Sequence, residues 1–249
     1  MKLPVALQLY SVRDEMAKDV KATLSEVKKM GYDGVESAGL FELTPKQFSS
    51  LCKDFGLIYM SAHNSLHELE NQDIIKQFSD AGLKYSVIPY LELPEDYDSM
   101  VSNIEMFKSI GKNCKKEGLQ LLYHNHDFEF NKINNEYILD TYFSSVSSEY
   151  LQTELDTCWV NVGGEDPVEY INKYKNKAPV VHLKDFTGAK NDNSFSFMPI
   201  GYGVQDIPSI IKAAESANTE LLVVETDTPP QGMSAMECAK KSIEYLKSL

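Results

Sequence analysis

Four short stretches of this chain set ionisable residues side by side at the ends of apolar runs: YHNHDFE, ELD, HLKD and VETD. Asp and Glu are depleted inside strands, so carboxylates ending several consecutive strands call for a chemical reason. Glu129, Asp156, His182 and Glu225 together would form a mixed oxygen and nitrogen set. Such donors suit Mn²⁺, Mg²⁺ or Co²⁺ better than a structural zinc site, which favours sulfur or more nitrogen. Left alone, three close carboxylates would repel one another and raise their pKa values, and a divalent cation relieves this. A competing assignment takes His124 and His126 as ligands, because an H-x-H pair turns both rings to one strand face, as in many zinc hydrolases; Zn²⁺ would then be the ion. Glu129 has the opposite phase to the two histidines, but phase is lost once the strand ends.

Positioning these groups requires a repeated unit, and the sequence supplies one. KKMGYDGVES, KDFGLIYMSAH, SDAGLKYSVIPY and KKEGLQLLYHNH each read as a polar helix end, a glycine, then an apolar burst. Glycine just past a helix takes the left-handed conformation that ends it. Eight strands are expected, at 5–10, 34–38, 58–63, 85–90, 119–126, 151–157, 179–185 and 221–227. Between them VKATLSEVKKM, PKQFSSLCKDF, DYDSMVSNIEMFKSIGKNCKK, DPVEYINKYK, IPSIIKAAESA and AMECAKKSIEYLKSL space apolar residues as helices do. Several strands are apolar nearly throughout, as in a parallel sheet covered on both faces. Strand–helix pairs averaging about 31 residues fit an α/β chain folded as a closed (β/α)₈ TIM barrel. An open doubly wound sheet is the rival, but no G-x-G-x-x-G follows the first strand. We expect one domain over 1–249, with a long lid-like loop near 187–205 on the face where barrels carry their active sites.

The charge balance narrows the partners. Lys and Arg total 24 against 37 Asp and Glu, a formal net charge of −13. That argues against gripping phosphate backbones or anionic membranes, so neither nucleic acid nor membrane is expected. A hydrophobic content of 43% supports a large core. Cys52, Cys114, Cys158 and Cys238 are dispersed, with no C-x-x-C pair, as suits a reducing compartment. VALQLY is too short for a signal h-region, and no run approaches the ~18–20 apolar residues of a membrane span. A cytoplasmic protein is the expectation. Arg13 is the sole arginine, reflecting either composition or a task that lysine cannot do, such as bidentate anion binding.

These segments carry a resemblance. LQLYSVRDEM, MGYDGVE, SAH at Ser61–His63, YHNHDFEF, ELDTCW, VHLKDF, IGYGVQD and VVETD run nearly end to end. Together they resemble the xylose-isomerase-like barrel superfamily, the sugar phosphate isomerase/epimerase group with ketose 3-epimerases, hydroxypyruvate isomerase, inosose dehydratase and endonuclease IV. The resemblance implies Glu129, Asp156, His182 and Glu225 as ligands of one divalent metal ion. Glu129 and Glu225 would face opposite sides of the substrate. Two departures from the epimerases stand out: Trp159 replaces a histidine and Gly188 replaces an arginine, both of which help hold the ketose carbonyl end. The HLKD form looks more like the inosose dehydratase branch. Endonuclease IV shares only the scaffold, because its three-metal site needs more histidine than the five present here.

The expected chemistry follows. Carbon acids beside a carbonyl are weak until a Lewis acid polarises the neighbouring oxygens. Glu129 or Glu225 would then remove the proton to give an enediolate. Reprotonation at the neighbouring carbon isomerises, reprotonation on the other face epimerises, and loss of a β-hydroxyl dehydrates. We expect a sugar or sugar-phosphate isomerase/epimerase, with an inosose dehydratase-like lyase as runner-up. A metal-dependent hydrolase and a non-catalytic sugar-binding barrel are further rivals. The substrate-facing set is His63, His124, His126, Trp159, Lys184 and Glu36. Trp159 would stack on a sugar or lie buried under the loop, and Lys184 would hold a carbonyl, carboxylate or phosphate, or else pair with Asp185. A homo-oligomer is compatible with the fold, although no sequence feature identifies its face.

Overall fold

A computed structural model describes residues 2–192 and 194–249; Met1, and Asn193 within the expected loop, lie outside the described residues. Eight parallel strands close into a ring: β1 Val5–Gln8, β2 Gly34–Ala38, β3 Ile58–His63, β4 Tyr85–Ile88, β5 Gln120–His124, β6 Gln152–Asp156, β7 Val180–Leu183 and β8 Leu221–Val224. Each is followed by a helix: α1 Val20–Met30, α2 Pro45–Asp54, α3 Gln72–Asp80, α4 Tyr97–Lys116, α5 Ile138–Ser145, α6 Pro167–Lys173, α7 Ile207–Ser216 and α8 Ala235–Ser248. β8 returns to β1 in register, Val5 beside Leu222 and Leu7 beside Val224, which closes the barrel.

Local chemistry sets the element ends. Thr44 and Ser234 open α2 and α8 with reciprocal capping boxes to Gln47 and Glu237, which satisfy otherwise orphaned amides. Gly31 ends α1 at φ 102°, a conformation that a Cβ would penalise. Strand alternation then sorts the core into two layers. Leu7, Val35, Leu121, Leu155, Val181 and Val224 point outward into the large cluster beneath the helices. Ala6, Val87, Leu122, Val180, Leu221 and Val223 point inward and fill the lower barrel with Tyr85. Each fully buried aliphatic side chain contributes about 1.5–3 kcal/mol. Above this inner plug, the same inward phase delivers polar residues.

The segment near 187–205 is more ordered than the expected loop. Asp185–Thr187 pairs antiparallel with Ser196–Met198, and Lys190–Asp192 forms a 3-10 turn. The alternation in SFSFM carries this hairpin: Phe195 lies over Phe186 and Trp159, with ring centroids 5.1 and 5.9 Å apart. Asp185 fixes the return. Its Oδ2 accepts from the amides of Gly201 and Gly203, and its Oδ1 accepts from Phe186 and Gln205.

Candidate active site

Parallel register brings the polar strand ends together. His124 on β5 stands beside Glu154 on β6, Asp156 beside His182 on β7, and Gln8 on β1 beside Glu36 on β2. In-register neighbours on one face lie about 5 Å apart, so these groups must meet at the open end. They form two tiers.

The lower tier is Glu36, His63 and Glu154. Glu36 Oε1 accepts from Gln8 Nε2 at 2.8 Å and lies 2.9 Å from His182 Nε2 and 3.1 Å from His63 Nε2. Ser61 donates to its other oxygen. Glu154 Oε1 lies 2.6 Å from His63 Nε2, 3.0 Å from His182 Nε2 and 3.1 Å from His124 Nδ1. Burial alone would raise Glu36 and lower His63. The mutual attraction wins: Glu36 is held well below the usual carboxylate range, and His63 rises to about 10 between Glu154 and Glu36.

The upper tier is Asp156, Glu225 and Asp227 around Lys184. Lys184 Nζ lies 3.2 Å from Asp156 Oδ2, 3.0 Å from Glu225 Oε2 and 3.0 Å from Asp227 Oδ1. It pairs with these three rather than with Asp185, whose oxygens are taken by backbone amides. Despite burial, Lys184 stays charged, and with His182 it holds Glu225 well below its usual range. Asp227, where burial outweighs Lys184, rises to about 6.

His124, Asp156, His182 and Glu225 offer ligand atoms that all lie within 4.8 Å of one another. All four are buried, and Asp156 Oδ2, although close to Lys184, accepts no aligned hydrogen bond. Two imidazole nitrogens and two carboxylate oxygens are a donor set that fits a divalent ion such as Mn²⁺ or Zn²⁺. Burial and the neighbouring cations push His124 well below its usual pKa, leaving it neutral, as a ligand must be. His182 is held well above its usual range by Glu154 and Glu36 in spite of burial, so a cation on that ring would displace a proton. His63, His124, Glu154 and His182 form a second group of the same kind.

Glu129 lies outside both groups. It sits on the 3-10 turn Phe128–Phe130 just past β5, where its Oε1 accepts from the outward-facing Tyr123 hydroxyl at 2.5 Å and its Oε2 from the His126 amide at 2.8 Å. Burial, with no cation beside it, raises Glu129 to about 7. His126, lowered by burial to about 4, is neutral. A cavity of about 590 Å³ above the tiers is lined by His63, His124, His126, Lys184, Glu225 and Asp227, with Tyr10 and Tyr90 at its rim. Glu36 lies below it. Trp159 is buried beneath the hairpin, stacked 11° from parallel on Phe195, with its ring centroid 5.8 Å from His126. Arg13 Nη1 donates to the carbonyls of Tyr10 and Asp227, so the sole arginine ties two loops together.

Glu154 and Asp227 were not among the sequence candidates. In ELD the alternation of a strand puts Glu154 and Asp156 on one face, and that spacing was the available signal. In VETD the same alternation puts Asp227 on the face of Glu225, the signal that was available for it.

The xylose isomerase-like TIM barrel family model matches residues 24–249. An inosose dehydratase of Clostridium beijerinckii is 26% identical over 226 residues, 82% of this chain and 72% of that protein. A sugar phosphate isomerase/epimerase structure from Parabacteroides distasonis superposes with a TM-score of 0.87 at 22% identity, covering 99% of this chain and 98% of that one. An L-ribulose 3-epimerase structure gives a TM-score of 0.76 at 15% identity, covering 99% and 94%.

Proposed function

The chain belongs to the xylose isomerase-like TIM barrel family, and we propose that it is a divalent-metal-dependent isomerase or epimerase of a sugar or sugar-like carbonyl compound. The observation that carries this reading is the meeting of His124, Asp156, His182 and Glu225 beside Lys184 at the floor of the cavity. When bound there, a divalent cation supplies Lewis acidity to a carbonyl and its neighbouring hydroxyl. His124, Asp156, His182 and Glu225 would hold it.

The side chains take the remaining roles. Glu225 is ionised near neutral pH and faces the cavity, so it is the base for a proton beside the carbonyl. The Lys184 ammonium stands next to it, where negative charge gathers as an enediolate forms. Glu129, at about 7, has the pKa of a group that exchanges protons near neutrality. To reach substrate it must first release Tyr123 or the His126 amide. His63 and His126 line the walls for hydroxyl groups. Trp159 supports His126 from beneath the hairpin.

A second reading, loss of a β-hydroxyl from the same enediolate, is supported by the inosose dehydratase relatives. One experiment tests both. The metal-supplemented protein is incubated with a panel of ketoses, aldoses and keto-polyols in D₂O. Isomerase or epimerase action leaves deuterium beside the carbonyl of an isomeric product, whereas lyase action gives an unsaturated or dicarbonyl product. Glu225→Gln should lower either rate by at least about 100-fold. Absence of exchange and elimination across the panel, with and without the substitution, would sink the enzyme reading.

A further inference from the structure

One oxygen of Glu154 touches both histidines of the candidate metal group. Glu154 Oε1 is 3.0 Å from His182 Nε2 and 3.1 Å from His124 Nδ1. In each ring the other nitrogen faces the upper tier: His182 Nδ1 is 2.9 Å from Glu225 Oε2, and His124 Nε2 is 3.5 Å from Asp156 Oδ2. A neutral imidazole has one N–H and one lone pair. If the N–H is given to the carboxylates below, Glu154 for His124 and Glu36 beside Glu154 for His182, the lone pair belongs to the nitrogen above. The two rings would then be opposite tautomers, Nε2–H in His182 and Nδ1–H in His124, with both bare nitrogens turned toward Asp156 and Glu225.

We propose that Glu154 is a positioning residue for the cation, a buried carboxylate that holds the Nδ1–H of His124 by a hydrogen bond and, beside Glu36, faces Nε2 of His182. The inference rests on the metal-dependent reading above. Three observations single out Glu154. Glu36 contacts His182 but has no contact with His124 among the described hydrogen bonds and ion pairs. The second Glu154 oxygen is buried and accepts no hydrogen bond, so Oε1 is the Glu154 atom that meets both rings, with Glu36 Oε1 sharing His182 Nε2 at 2.9 Å. His63 Nε2, 2.6 Å from Oε1 and 3.1 Å from Glu36 Oε1, holds that oxygen in place from a third side. Outer carboxylates of this kind raise ligand basicity and set ring orientation, and their loss weakens metal binding about 10- to 100-fold.

The test uses the full chain stripped with a chelator. Titration calorimetry with Mn²⁺ should show one equivalent on the wild type and binding about 10- to 100-fold weaker on Glu154→Gln. Nitrogen-15 spectra of the Zn²⁺-loaded wild type, labelled at histidine, should show the His182 proton on Nε2 and the His124 proton on Nδ1. This second measurement does not depend on the variant folding. Equal Mn²⁺ affinity in wild type and variant would overturn the proposal, as would the same tautomer in both loaded rings. Two equivalents of Mn²⁺, one of them lost in Glu154→Gln, would overturn it too, by making Glu154 a ligand. No Mn²⁺ binding to the wild type would remove the metal reading itself, an outcome distinct from equal affinities.

Discussion

Glu129 and Glu225 are both buried carboxyls, yet their proton affinities shift in opposite directions because only Glu225 has cations beside it. Glu225 contacts His182 and Lys184; Glu129 contacts a hydroxyl and an amide. Burial raises Glu129 from 4.5 to about 7, so the folded chain holds that proton more tightly than the unfolded one. Between those values the native state carries the extra proton, and stability falls as pH rises. Glu129→Gln should remove this contribution, reducing the fall in stability between pH 4.5 and 7 by about 3 kcal/mol. Denaturant melts of both proteins at several pH values measure it, and parallel curves would mean that Glu129 ionises freely in the fold. Most of the residue identities at the mouth, though not Glu154 or Asp227, are legible in the sequence, since carboxylates at successive strand ends are out of place without a task. Their grouping was less so: Glu129 lies past its strand, where alternation no longer decides direction, and a 3-10 turn folds it back onto Tyr123.

At the scale of elements, all eight expected strands appear, six of them shorter than their apolar runs. The runs predict strand from side-chain type, but pairing stops where the barrel opens, and the last residues of each run turn into the mouth. α3 and α5 lie outside the six helices expected from apolar spacing; in α5, ILDTYFSS, aromatic and β-branched residues obscure the helical period. The segment after β7 is the largest difference, a clamped hairpin where a lid was expected. Gly203 packs so closely on Asp185 and Phe186 that an added Cβ would collide with both. Gly203→Ala should therefore break the Asp185 clamp and lower stability by about 1–3 kcal/mol. Hydrogen exchange should speed up across 199–206 while β1 to β8 keep their protection. Unchanged exchange in 199–206 would show that the clamp does not order the segment.

On the scale of the whole molecule, the net charge of −13 is spread well beyond the mouth, where Lys184, His63 and His182 offset the buried carboxylates. None of the described helices is long and apolar enough to cross a membrane. A cation held by four strand ends would bind the folded ring and not the unfolded chain, so it should stabilise the fold by mass action. Mn²⁺ at about 100 times its Kd should add about 2.7 kcal/mol, or about 5–10 °C in Tm. Scanning calorimetry with Mn²⁺ against chelator reads this shift, and identical transitions would count against any such site. β8 bears most on incomplete copies of the chain. It shuts the ring against β1 and carries Glu225 and Asp227 to Lys184. A copy truncated before Leu221 would lose those two counter-ions and gain two raw sheet edges in one event, and such edges recruit other chains. Unfinished copies should therefore be both inert and prone to aggregate, which makes the last strand the checkpoint for catalysis and solubility alike.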